Sequence, residues 1–154
     1  MATEIKKYSD ELLAAQPIGY WSGEAYRRVV GRIRADLATE GLTQPHWWIL
    51  NHVVGNPEEW DRARLIHRLA RFDDLDIDFD GVFDDLLKRG WITQRQDGTF
   101  VITEAGEAGR TRAADRAHQA LAQVHDGIAP HEYATALNVL RRMIANLGGD
   151  ADLP

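Results

Sequence analysis

A chain of 154 residues, 44% of them apolar and 27% charged, is long enough for one packed core and has the mixture of an ordinary globular domain. It holds no cysteine, which excludes disulfides, thiolate metal sites and thiol redox switches. Its formal net charge of −6 argues weakly against nucleic acid as a partner, because phosphate contacts are built from Lys and Arg; where the charges sit matters more than their total. No run approaches a membrane-spanning length, and the lysines at Lys6 and Lys7 precede no apolar stretch of the kind a secretory leader needs, so a cytoplasmic protein with no membrane role is expected.

Residues 1–16 are a polar lead with weak apolar spacing at Ile5, Tyr8 and Leu12, enough for a short helix. Pro17 suits the first turn of a helix, and Ile18, Trp21, Ala25, Val29, Ile33 and Leu37 then recur every three or four positions, one face of a long helix that Gly41 ends. Thr43 as N-cap, with Pro45 just inside, predicts a second helix from His46 to about Val54. That helix is apolar nearly all round, through Trp47, Trp48, Ile49, Leu50, Val53 and Val54, and so belongs in the interior.

Gly55-Asn56-Pro57 is a turn, and Asp61 caps a third helix with Leu65, Ile66 and Leu69 on its apolar side. After Phe72 comes an Asp-rich turn, and then Phe79, Val82, Phe83, Leu86 and Leu87 predict a fourth, amphipathic helix stopped by Gly90. The runs Trp91 to Arg95 and Thr99 to Ile102 flank Asp97-Gly98, a hairpin signal. Thr103 caps a long Ala-rich helix reaching about His125, and Gly127 and Pro130 separate it from a last helix in which Tyr133, Leu137, Leu140, Ile144 and Leu147 follow heptad-like spacing. No linker divides the chain. The expectation is a single domain, 1–154, mainly α with a small β-hairpin: a winged helix-turn-helix over about 43–103 and helices for dimerisation at about 17–40 and 104–147.

Three segments in this order resemble the MarR family of transcription regulators: Gly41-Leu42-Thr43-Gln44-Pro45 opening the second helix, Leu86 to Ile92 leading into the hairpin, and Ile102-Thr103-Glu104-Ala105-Gly106 leading out of it. The similarity covers roughly residues 17–147. It implies a homodimer built from the first and last helices, a ligand pocket between the dimer core and the winged helix, and repression relieved by a small phenolic or aromatic ligand. It also implies a fourth helix that enters the major groove of double-stranded DNA and a wing that reaches the minor groove.

This chain departs from that pattern at the surface DNA would meet. The wing is short, Gln94 to Thr99, and lacks the Asp-x-Arg element of the family. Between Phe72 and Leu87 stand seven Asp and no Lys or Arg. With the five apolar residues of the fourth helix facing inward, Asp78, Asp80, Asp84 and Asp85 should project into solvent, where a phosphate-lined groove would repel them. Arg62, Arg64, Arg68, Lys88, Arg89 and Arg95 remain as phosphate contacts from the rim, so any DNA binding should be weak.

Asp76-Ile77-Asp78-Phe79-Asp80-Gly81 matches the opening of a calcium loop, but position 12, where the chemistry needs a bidentate Glu, is Leu87 on the core stripe. A solvated acidic helix start explains the run better. Asp115 and His118 share a helix face with no third ligand near in sequence, so no metal site and no cofactor are expected. Tyr20 and Trp21 on the first long helix, with His46, Trp47, Trp48 and His52 on the second, are the candidate ligand-binding residues, since aromatic walls with a few polar tips suit a flat molecule; a core of large residues explains them equally well. There is no nucleophile motif and no phosphate-cradling Gly-rich loop, so catalytic residues are not assigned and an enzyme is not expected. The favoured function is a ligand-responsive regulator with atypical DNA binding. The alternatives are a winged-helix scaffold that has lost DNA and binds or transforms a small aromatic molecule, and an interaction protein whose acidic face meets a basic partner.

Overall fold

The computed structural model of the protein describes residues 4–153. In chain order the elements are α1 (Asp10–Ala14), α2 (Ile18–Thr39), α3 (Gln44–Gly55), α4 (Arg62–Leu69), α5 (Phe79–Lys88), β1 (Ile92–Gln94), β2 (Phe100–Ile102), α6 (Glu104–Val124) and α7 (Pro130–Asn146). The chain divides into two compact units: residues 17–120, and the described residues before them together with those from 121 onward. No helix among the described residues is long and apolar enough to cross a membrane.

Local chemistry sets most boundaries of the 17–120 unit. Pro45 stands in the first turn of α3, and Asp61 caps α4 by accepting the Arg64 amide at 2.8 Å. Gly90, at φ +69°, occupies the left-handed conformation that ends α5 and turns the chain into β1. The two strands pair antiparallel, Ile92 opposite Ile102 and Gln94 opposite Phe100, and the Asp61–Thr99 bridge joins the hairpin to the start of α4. A connection that includes the expected Asp-rich turn joins α4 to α5. It consists of a 3-10 turn over Ala70–Phe72 followed by an irregular stretch to Asp78. The Asp73 carboxylate stabilises that stretch by accepting the amides of Leu75 and Ile77 at 3.0 and 2.9 Å.

The core forms where α3, α4, α5 and the hairpin meet. Ile49, Leu50, Val53, Leu65, Leu69, Phe79, Phe83, Leu86, Ile92 and Phe100 make one buried cluster, and the Phe83 and Phe100 rings stack at 5.0 Å. Truncating a fully buried Phe such as Phe83 to Ala costs about 3–5 kcal/mol. A second cluster joins Leu37, Leu42 and Ala113, with Ile33 and Trp47 packed on it. Trp91 packs against both. It fits because α6 has no side chains where it passes: a Cβ on Gly109 would stand 2.3 Å from the indole, and one on Gly106 2.0 Å from the Trp91 carbonyl oxygen. Thr103 completes the joint, its amide donating to the Trp91 carbonyl at 2.9 Å and its hydroxyl to that of Gly90 at 2.5 Å.

The other unit holds α1, the end of α6 and α7. Neither α1 nor α7 has a buried residue. Tyr133, Leu137, Val139 and Met143 are exposed along α7, as are Tyr8, Leu12 and Leu13 in the N-terminal segment.

Candidate functional site

A cavity of about 420 Å³ lies among α2, the entry into α3, and the chain from Leu75 to Val82 that runs into α5. Its wall is mostly apolar, from Ala38, Leu42, Pro45, Leu75, Ile77 and Val82, with Arg34, Thr43, Gln44 and Asp78 supplying the polar atoms. Arg34 and Ala38 share one face of α2 by their four-residue spacing. Arg34 also ties the loop to that helix. Its Nη2 donates to both oxygens of Asp74 at 2.8 and 2.9 Å and its Nε to Gln44 at 2.8 Å, while the Tyr26 hydroxyl donates to the same Asp74. The hydrogen bonds from Tyr26 and Arg34 hold the Asp74 carboxyl below its usual range, and the Asp74 bond raises the Tyr26 phenol.

Asp78 belongs both to the cavity and to α5. It lines the space and caps the helix, accepting the Gly81 amide at 3.0 Å. Val82, one turn further, presents its side chain to the same space. A molecule filling the cavity would therefore touch the residue that holds the first turn of α5.

None of the six ligand-binding residues expected from sequence lines this cavity. Tyr20 and Trp21 stand near the start of α2, 77% and 54% exposed. The four on α3 separate instead of converging. Trp47 packs on the Leu37 cluster; Trp48 packs on the main core with its ring 6.3 Å from that of Phe72. His52 Nδ1 hydrogen-bonds the Trp48 carbonyl at 2.8 Å, and its ring meets Trp60 edge-on at 5.5 Å. His46 is buried and structural. The Thr43 amide donates to its Nδ1 at 3.1 Å, which leaves the proton on Nε2 to donate to Asp85 at 2.8 Å. A helix apolar on every side sends successive residues about 100° apart into different surroundings, so adjacent aromatics do not make one wall.

On the α5 face, Asp78, Asp80 and Asp84 are exposed as expected, while Asp85 is half-exposed. It turns toward α3 and is held by His46 and by Arg89 Nη2 at 2.8 Å. Burial raises its pKa, but those donors more than offset this and keep it below the ordinary value.

The rim cations divide into two groups. Arg62 is spent on the acidic helix itself: Nη1 meets Asp80 at 3.0 Å, Nη2 meets Asp84 at 2.8 Å, and the guanidinium lies 5.2 Å from the Phe83 ring centre. Arg89 holds Asp85 and the Gly41 carbonyl, and Arg95 folds back from the wing onto the Pro57 carbonyl at 2.5 Å and the Thr99 hydroxyl at 3.2 Å. Lys88 is exposed, Arg64 is exposed but pairs with Asp61 at 3.5 Å and donates to the Glu59 carbonyl at 3.3 Å, and Arg68 lies half-buried over the Phe72 ring at 5.8 Å. Nothing in the local sequence around Arg62 indicated this pairing, which joins residues 18 and 22 positions apart.

No protein-family model matches the chain, and no curated protein does. Solved structures do resemble it. A MarR family transcriptional regulator from Silicibacter pomeroyi is 17% identical with a TM-score of 0.69, over 91% of this chain and 99% of that one. The transcriptional repressor CouR bound to p-coumaroyl-CoA is 20% identical with a TM-score of 0.66, over 90% of this chain and 97% of that one. A Mycobacterium tuberculosis MarR family protein in complex with DNA is 20% identical with a TM-score of 0.62, over 87% of this chain and 99% of that one. The chain has the winged-helix fold of the MarR family regulators.

Proposed function

We propose that the protein is a homodimeric, ligand-responsive regulator of transcription that works in the cytoplasm, holds double-stranded DNA weakly, and takes its effector in the cavity beside α5. The observation that carries this reading is that one apolar cavity is lined both by Asp78, the N-cap of α5, and by Val82 upon it. In a winged helix α5 is the element offered to the major groove. A ligand that shifts its first turn changes the presentation of the whole helix, and it moves the equilibrium only by its differential affinity for the two positions. Resemblance to a repressor bound to p-coumaroyl-CoA and to a protein in complex with DNA supports both halves of the reading. Weak DNA binding follows from the exposed Asp80 and Asp84 and from the commitment of Arg62 to them.

The test is a gel-shift series at low salt on the DNA upstream of the protein's own gene, with and without small apolar molecules that raise the melting temperature. A complex at low salt, released by such a molecule and insensitive to it in Val82→Trp, is the expected result. A second reading, a scaffold that binds a small molecule but no DNA, is favoured by the Arg62 pairing alone. No complex at any salt, with ligand binding intact, would establish that second reading over the first.

A further inference from the structure

The charge on the cavity wall is unbalanced. Arg34 is its cation, and the guanidinium is already engaged by Asp74 and Gln44 at 2.8–2.9 Å. Asp78 is its anion, and among the described residues it has an amide partner, Gly81, but no ion pair. A helix N-terminus ordinarily welcomes negative charge, but at α5 that place is filled by Asp78 itself, with Asp80 in the first turn. We infer that the cavity selects an apolar molecule carrying a protonated amine and turns away a carboxylate of the same shape. This rests on the cavity being the effector site proposed above.

The physical reason is competition for donors and acceptors. An entering carboxylate meets Asp78 as a like charge, and gains Arg34 only by displacing a bidentate charge-assisted pair. An ammonium finds a carboxylate with lone pairs beyond the one the Gly81 amide uses. Its apolar body meets Ala38, Leu42, Pro45, Ile77 and Val82. Asp78 is exposed, so water and salt screen the attraction, and the expected discrimination is roughly tenfold in affinity, not thousands.

The experiment is calorimetric titration of the full chain at pH 7 with three probes of one shape: 2-naphthylmethylamine, 2-naphthol and 2-naphthoate. The amine should bind tightest, about tenfold ahead of the naphthol, with the naphthoate weakest. Asp78→Asn keeps the cap, since Asn serves as well there, and should erase the advantage of the amine. Val82→Trp should abolish binding of all three, which locates the site. Naphthoate binding as tightly as the amine, or an amine preference that survives Asp78→Asn, overturns this inference and leaves the effector site standing. If none of the three binds, the effector-site reading falls and takes this one with it.

Discussion

The His46 imidazole and the Asp85 carboxylate meet at 2.8 Å, and through that bond the first turn of α3 is joined to the C-terminal half of α5. Burial lowers the His46 pKa below its usual 6.5, outweighing the opposing Asp85 hydrogen bond. A histidine depressed in the folded state contributes stability that is fully present above the unfolded value and is lost as pH falls through the folded one. Urea unfolding should therefore show the protein losing stability as pH drops below 6.5. His46→Gln should begin about 1–3 kcal/mol less stable and be flatter over that window. An equally steep decline in the variant would show that another group is responsible.

Removing the charges that hold Arg62 should strengthen DNA binding. Asp80→Asn with Asp84→Asn takes away two repelling carboxylates and frees one guanidinium for a phosphate. Those carboxylates are 68% and 69% exposed, so stability should change by no more than about 1 kcal/mol. Fluorescence anisotropy on one duplex across a salt series should show tighter binding and a logarithmic salt slope steeper by about one. If the natural protein instead binds tightly and selectively and the variant does not, the carboxylates read bases, as cytosine amino groups would allow.

Gly109→Ala tests the joint between the hairpin and α6. A methyl group there would stand 2.3 Å from the Trp91 ring, which is wedged between two clusters and has little room to retreat. Alanine favours helix by about 1 kcal/mol over glycine, yet the overpacking should dominate and leave a net loss of about 1–3 kcal/mol. Chemical denaturation followed by Trp fluorescence measures it, and a stabilised variant would mean that the indole moves freely.

Leu137→Asp addresses the proposed dimer. Leu137 is exposed in the single chain, so the charge costs the monomer little, whereas burial against a second copy would leave it unpaired. Light scattering should report a dimer for the natural protein and a monomer for the variant at micromolar concentration. A natural protein that is monomeric there rules the dimer out.

Much of this molecule is legible in the sequence alone. Thr43, Asp61 and Gly90 act within a few residues of where they stand, and the apolar stripe of Phe79, Val82, Phe83, Leu86 and Leu87 dictates by period alone which side of α5 is buried. Caps, turns and amphipathic periods are local interactions, so the order of elements and the winged-helix class could be read directly. Tertiary structure decided the sites. Arg34 meets Asp74 across 40 positions, His46 meets Asp85 across 39, and Arg62 meets Asp80 and Asp84 across 18 and 22. A one-residue difference in facing separates Asp84, in solvent, from Asp85, on His46. Trp47 and Trp48, adjacent in the chain, pack on different clusters because an all-apolar helix has no single inner face to assign them. The cavity arises where α2, the start of α3 and the approach to α5 fail to fill the space between them, a property of packing that no local pattern encodes.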